Sequence, residues 1–163
     1  MAHQSVPLSK DQFLFHYDNL LLAKGRKATY LCYEVKRENS PDLTGFFKND
    51  PVDHAEIKLK SFMEKLPPGC YTITCYLSWS PCADCCNKLV DFIRLAENMK
   101  LCIFVSRLYY WDNMENKNGL QALGDAGVEL KVMHKEEFEH CWLTFVDHQQ
   151  GEFPAWDDLD HNS

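Results

Sequence analysis

The order of hydrophobic and polar positions divides the chain into alternating strands and helices. The segment "CYTITCYLSW" is apolar on both faces, which is typical of a central strand in a sheet that is covered on both sides. Other stretches carry apolar residues at intervals of three and four, the spacing of one helical face. These patterns predict helices over 8–21, 54–66, 80–99, 115–127 and 135–148. They predict strands over 29–35, 70–79, 101–106 and 128–133, and a turn followed by a strand over 40–47.

Strands and helices alternate in the second half of the chain, which predicts an α/β layer structure with parallel strands. The first half contains two strands in hairpin-like order, so the sheet should be mixed. We therefore expect a five-stranded mixed sheet with helices on both faces. A length of 163 residues suits one domain with its own core, covering 1–163.

Composition and charge narrow the class of protein. Hydrophobic residues make up 45% and charged residues 25%, as in ordinary globular domains. There is no apolar run of membrane-spanning length, and the first residues lack the pattern of a signal peptide, so we expect an intracellular protein. A net charge of −7 argues against a strong non-specific nucleic-acid binder. It is compatible with an enzyme that uses a local basic strip.

The chain has eight cysteines. Without an export signal, a disulfide framework is not expected. Four of the cysteines are surrounded by apolar residues and are predicted to be buried as small hydrophobic side chains: Cys32, Cys75, Cys102 and Cys141. Three others cluster in "SPCADCC", where they are candidates for chemistry.

Two predicted helices open on residues that bind metals. His54 and Glu56 stand at the start of one helix, and Cys82 and Cys85 at the start of another. Helix N-termini favour thiolates, and residues three apart share a helical face. Cys86 should point elsewhere, since adjacent helical residues diverge by about 100°. One histidine and two cysteines predict a site for one Zn²⁺ with the fourth position open to water.

The full pattern is H-A-E, then residues 57–80, then P-C-A-D-C. H-x-E followed by P-C-x-x-C is the signature of zinc nucleobase deaminases. In such a site zinc lowers the pKa of water and Glu56 is the general acid–base group, so that cytosine would become uracil with release of ammonia. The alternative is a closed structural zinc site, in which Glu56 is only a favourable acid in the first helical turn.

Several longer segments extend the match beyond the metal ligands, among them "TYLCYEV", "SWSPCADC", "RLYYWD" and "EFEHCWLTFVDH". Over residues 9–161 the chain resembles the AID/APOBEC polynucleotide cytidine deaminases, and within them a single zinc-binding domain of the vertebrate APOBEC innate-immunity branch. The resemblance implies a cytidine deaminase-like fold and deamination of cytosine in single-stranded DNA, as a restriction of viruses or mobile elements. Because that family usually continues into a final helix, the resemblance also gives the expectation that this helix is absent here.

The resemblance implies roles for individual residues. Asn19 would contact the target nucleotide, Thr29 would line the pocket, and Tyr109 would pack against the flipped base. The segment Tyr110, Trp111 and Asp112 would read the preceding base, with thymine expected there. Further residues matched to the pocket and the adjoining loop are Trp79, Ser80 and Arg107.

Each of these residues also has a structural interpretation. Asn19 could end a helix, Trp79 could belong to the strand core, and the aromatic residues after Arg107 could pack beneath a loop. Consecutive aromatics beside a cation are nevertheless what single-strand binding uses. Arg26, in the basic cluster "KGRK", is predicted to give an acidic protein local attraction for DNA, although a solvated turn would have the same composition.

Two other functions stay open. One is a catalytically weak zinc domain that binds RNA or single-stranded DNA, and the other is a deaminase of free nucleosides or tRNA. The expected partners are single-stranded DNA, with RNA and a viral antagonist protein as further candidates, and no membrane. The expected location is the cytoplasm, the nucleus or both.

Overall fold

The structure is a computed structural model and describes residues 8–9, 12–13, 17, 29–38, 40–49, 53–96, 98–107 and 114–147. Strands β1 to β7 span Leu8–Ser9, Tyr30–Arg37, Leu43–Lys48, Tyr71–Trp79, Met99–Arg107, Glu129–Val132 and Val146–Asp147. Helices α1 to α4 span Ala55–Glu64, Ala83–Leu95, Met114–Asp125 and Lys135–Phe145.

Five strands form the main sheet, in the order β3-β2-β4-β5-β6. Strand β2 is antiparallel to both of its neighbours, whereas β4, β5 and β6 run parallel. This arrangement confirms the predicted five-stranded mixed sheet. A separate parallel pairing of β1 with β7, which joins Leu8 to Val146, was not expected from the sequence.

Side chains alternate across the sheet and build one core on each face. On the α1–α3 face, residues such as Leu77 and Val105 pack with the three helices α1, α2 and α3. On the α4 face, Tyr76 and Phe104 pack with Trp142 of α4. The prediction of helices on both faces is therefore confirmed. No helix among the described ranges is long and apolar enough to cross a membrane.

The helix predicted over 80–99 is shorter at both ends. It begins at Ala83, and Cys82 is its N-cap residue with an extended ψ of 167°. Ser80, at the predicted start, instead donates its backbone N–H to the Arg107 carbonyl oxygen at 2.8 Å and so continues the contact between β4 and β5. The helix ends at Leu95 because Met99 already belongs to β5.

Other boundaries follow from caps and from tertiary pairing. Ser9 Oγ accepts from the Gln12 N–H and Gln12 Oε1 accepts from the Ser9 N–H, both at 3.1 Å, which is a capping box at the start of the predicted first helix. The last predicted helix ends at Phe145, since Val146 pairs with β1. Gly127 follows the end of α3 with a φ of 97°, in the left-handed region that favours glycine.

All eight cysteines are free. Cys32, Cys75 and Cys141 are buried as predicted. The prediction for Cys102 is wrong, because its side chain is only half-buried and lies 3.8 Å from a carboxylate oxygen of Glu129 on the edge strand β6.

Candidate active site

The candidate site lies at the edge of the main sheet that is formed by the ends of its strands, not along an outer strand. The parallel strands β4 and β5 end there, at Trp79 and Arg107, which are paired in register. Strand β3 is antiparallel to β2 and therefore runs in the same direction as β4, so it ends at the same edge. The segments leading into α1 and α2 both start from there. Carboxyl ends of parallel strands are the usual place for ligands in α/β sheets. This topology brings together two segments that are separated along the chain.

Three potential metal ligands converge at this edge. His54 is the N-cap residue of α1, Cys82 is that of α2, and neither makes a side-chain capping hydrogen bond. His54 Nδ1 lies 3.2 Å from Cys85 Sγ and 3.7 Å from Cys82 Sγ. The three ligand atoms all lie within 4.8 Å of one another. Zn–N and Zn–S bond lengths give a tetrahedral N–S edge of about 3.6 Å, so this donor set fits a zinc ion.

The two thiols interact strongly. A hydrogen bond with Cys85, together with contributions from His54, lowers the pKa of Cys82 to about 5. The same hydrogen bond and burial raise the pKa of Cys85. A bound cation would favour the deprotonated form of both sulfurs, because metals bind thiolates.

Glu56 is the buried acid of the site. It lies in the first turn of α1 and is 3% exposed. Its Oε1 atom is buried without a hydrogen-bond partner. Burial raises the pKa of the Glu56 carboxyl to about 7, against the opposing effect of the Cys85 hydrogen bond. A neighbouring divalent cation would lower that pKa again, since positive charge favours the carboxylate.

Burial increases from the rim of the site to its floor. His54 is exposed, Cys82 is half-buried, and Cys85 is buried, so the ligand atoms are reached from the His54 side. Cys86, adjacent to Cys85, does not belong to this group. Its thiol is 3.7 Å from the Pro81 carbonyl oxygen and its side chain is fully buried, in agreement with the predicted divergence.

The residues predicted for the pocket occupy the same sheet edge. Thr29 immediately precedes β2, where it exchanges hydrogen bonds of 3.0 and 3.1 Å with Asn49. Trp79 and Arg107 each lie two residues after a side chain of the α1–α3 face, Leu77 and Val105, so they point to the same side of the sheet. They therefore project toward the face that carries the metal ligands. Ser80 is buried directly after β4.

Arg107 differs from its predicted setting. The sequence places it in a loop with the aromatic residues, but the structure makes it the last residue of β5 and buries it to 7% exposure. Its guanidinium carbon lies 4.3 Å from the centroid of the Trp79 ring, a cation–π contact. The arginine thus orients the tryptophan at the edge of the sheet.

The remaining predicted nucleic-acid contacts lie outside the described residues. They are Asn19, Arg26, Tyr109, Tyr110, Trp111 and Asp112. Their roles stay predictions.

Sequence reasoning missed two residues of α3 that contact the metal-ligand turn. Asn116 Oδ1 accepts from the backbone N–H of Ala83 at 2.8 Å. A Cβ atom added to Gly119 would lie 3.0 Å from Cys86 Cβ and 3.2 Å from Ala83 Cα. An asparagine and a glycine three residues apart on a helix are the available sequence signal, since interior helical glycine often has a packing reason.

Comparison with known proteins identifies the family. A family model described as the APOBEC3 cytosine deaminase domain matches residues 6–163. The chain belongs to the APOBEC3 cytosine deaminase family. Membership agrees with the five-stranded mixed sheet, and the His54, Cys82 and Cys85 cluster fits the zinc binding expected of deaminases.

Individual relatives support this assignment. The chain is 36% identical to the "DNA dC->dU-editing enzyme APOBEC-3G" of Erythrocebus patas, over 93% of this chain and 43% of the relative. It is 40% identical to "DNA dC->dU-editing enzyme APOBEC-3Ca" of Felis catus, over 87% of this chain and 80% of the relative. The mouse "DNA dC->dU-editing enzyme APOBEC-3" is 40% identical over 91% of this chain and 36% of its own length. The chain thus spans less than half of two of these three relatives.

Proposed function

We propose that this chain is a zinc-dependent deaminase that converts cytosine to uracil in single-stranded DNA. The observation that carries the proposal is the convergence of His54, Cys82 and Cys85 within 4.8 Å, beside the buried carboxyl of Glu56. The relatives are named as enzymes that edit dC to dU in DNA, which supports the same reaction here. Restriction of viruses or mobile elements would be the biological use of this chemistry.

His54, Cys82 and Cys85 would hold one zinc ion. When bound, zinc supplies Lewis acidity that lowers the pKa of a water molecule toward 7. Three protein ligands, as opposed to four, are what a catalytic zinc site provides. Cys86 is not available as a fourth ligand because its side chain is turned into the core.

Glu56 would carry protons between water and the base. Its Oε1 atom accepts a proton from the attacking water and delivers it to N3 of cytosine. The water oxygen forms a bond to C4. Glu56 then moves the remaining hydroxyl proton to the amino group, the C4–N bond breaks, and ammonia leaves. Cytosine and water thereby give uracil and ammonia.

The edge of the sheet would receive the target nucleotide. Trp79 and Thr29 flank the metal-ligand segments, and the contact with Arg107 fixes one face of the Trp79 ring. An oriented aromatic ring suits contact with a base, because stacking is tolerant of sequence. The preference for thymine before the target would reside in Tyr110, Trp111 and Asp112. Exchanging that loop should change the preferred preceding base.

We propose an intracellular location, in the cytoplasm, the nucleus or both. All eight cysteines are free, which suits a reducing compartment where thiolates remain available to zinc. RNA and a viral antagonist are proposed as further partners. Microscopy of the tagged full chain would test the location.

The test is uracil formation in a single-stranded oligonucleotide with one TC site. Wild type should produce uracil, and Glu56→Gln should lower the rate by about 10²- to 10⁴-fold, the usual contribution of a general acid–base group. Glu64→Gln is the matched control, because Glu64 is exposed on the same helix and pairs with Lys60. This control should keep the wild-type rate.

Assays with RNA and with free cytidine distinguish the proposed function from the two alternative functions. No uracil from folded, zinc-loaded wild type, with tight binding of an RNA oligonucleotide, would replace the proposal by a binding domain. Faster deamination of free cytidine than of the oligonucleotide would replace it by a nucleoside deaminase.

A further inference from the structure

The first turn of α2 is held from outside by α3. The first N–H groups of a helix have no partner within that helix. Here the N–H of Ala83, the first helical residue, donates to Asn116 Oδ1 at 2.8 Å. A side chain at the N-cap normally accepts from the second or third N–H of the helix, so it would leave the Ala83 N–H without a partner. Asn116 supplies the acceptor for this N–H from 33 residues away.

The residue at the N-cap position does not stabilise the start of α2 itself. Cys82 makes no side-chain capping hydrogen bond. Its sulfur instead lies 3.7 Å from His54 Nδ1. Because the Cys82 side chain turns toward the ligand group, the start of α2 receives no support from its own N-cap residue, and the bond from Ala83 to Asn116 anchors it from α3.

Asn116 is held in place by its surroundings. It is 7% exposed on α3, and Gly119 lies one turn further along the same side. An added Cβ at Gly119 would come within 3.0 Å of Cys86 Cβ, which shows how closely α3 approaches this turn. The hydrogen bond to Ala83 thus joins two helices that have little freedom to separate.

We propose that Asn116 is a positioning residue for Cys82 and Cys85. By fixing the backbone of the first turn of α2, it keeps both sulfur atoms directed toward His54. This inference rests on the zinc site that is part of the proposed function. Groups that orient metal ligands typically account for about 10- to 100-fold in metal affinity.

The experiment measures zinc affinity by competition with a chromogenic chelator, and the visible absorption of the Co²⁺-loaded protein. Asn116→Leu keeps the volume but removes the acceptor, and it should weaken zinc binding about 10- to 100-fold and alter the Co²⁺ spectrum. Asn116→Asp keeps an acceptor oxygen and should restore most of the affinity. Asn118→Leu, the same change at an exposed position of α3, should bind like wild type.

Thermal unfolding with and without zinc separates positioning from general stability. A positioning role predicts that zinc raises the unfolding temperature of Asn116→Leu less than that of wild type. An equal rise in both proteins, with equal affinity, would overturn the inference. If Asn116→Leu does not fold, Asn116→Ser replaces it, since the shorter side chain cannot reach Ala83. Absence of zinc binding in wild type would overturn the proposed zinc site itself, which is a different result.

Discussion

Buried polar atoms on the two faces of the sheet differ in whether they have hydrogen-bond partners. On the α4 face, the Tyr17 hydroxyl lies 2.7 Å from the Tyr76 carbonyl oxygen and 3.0 Å from that of Tyr30. Ser106 Oγ likewise donates to the Tyr17 carbonyl oxygen at 3.0 Å. On the α1–α3 face, Oε1 of Glu56 is equally buried but has no hydrogen-bond partner.

This contrast separates structure from chemistry. Burying a polar atom without a partner costs stability, so proteins normally satisfy such atoms. The hydroxyls of Tyr17 and Ser106 follow that rule within the protein itself. Oε1 of Glu56 departs from it beside three converging ligand atoms, as the proposed catalytic role of this carboxyl would require. Changes on the α4 face should therefore alter stability, and changes at the site should alter metal binding and catalysis.

The largest stability effect is expected on the α4 face, from Trp142→Ala. Trp142 is 1% exposed and its ring lies 6.1 Å from that of Phe13. Truncating a buried tryptophan should lower the free energy of unfolding by about 3–5 kcal/mol. Chemical denaturation measures this loss, while the zinc affinity of the folded fraction should stay unchanged.

The neighbouring residue provides the control for that change. Leu143 is 71% exposed, so Leu143→Ala should change the free energy of unfolding by less than about 0.5 kcal/mol. Equal effects of the two substitutions would contradict the assignment of Trp142 to the core.

A smaller loss is expected from Tyr17→Phe, which keeps the ring and removes the hydroxyl. The substitution removes a buried donor that contacts two backbone carbonyl oxygens and should cost about 1–1.5 kcal/mol in urea denaturation, the usual contribution of a buried hydrogen bond. Tyr30→Phe is the comparison, since the Tyr30 hydroxyl accepts a long hydrogen bond of 3.5 Å from Gln12 and should matter less. If Tyr17→Phe weakened zinc binding as strongly as it lowered stability, the two faces would not be independent.

The smallest effects are expected from a pair of glycine substitutions in α3. Gly124 has no atom within 4 Å of an added Cβ, so Gly124→Ala should stabilise by up to about 0.5–1 kcal/mol through helix propensity. Gly119→Ala would meet Ala83 Cα at 3.2 Å, and this backbone atom cannot move cheaply. It should destabilise by about 1 kcal/mol and weaken zinc binding. Stabilisation by both substitutions would show that α3 does not constrain the metal-ligand turn.

Sequence reasoning anticipated the five-stranded sheet and the pair of helix starts that carry His54 and Cys82. Those features depend on local patterns and short spacings, which a single sequence displays. The boundary of α2 was misplaced because Ser80 and Pro81 resemble a local cap. The acceptor that serves Ala83 is Asn116, a tertiary contact that no local rule contains.

Two further differences have the same physical origin. Arg107 was assigned to a loop, yet its backbone pairing with Trp79 of β4 includes it in β5. Val146 was assigned to a helix, yet its pairing with Leu8 ends that helix. Partners that are distant in sequence decided both outcomes. The domain extent of 1–163 and the contacts of the aromatic loop stay predictions.

The most direct test of the central claim is the zinc content of three purified proteins after dialysis against trace zinc. Wild type and Cys70→Ala, which removes an exposed cysteine remote from the ligand group, should each retain one zinc per chain. Cys85→Ala should retain far less than one, because it removes one of the three converging ligands. Full zinc retention by Cys85→Ala, or none in folded wild type, would contradict the claim that His54, Cys82 and Cys85 bind zinc.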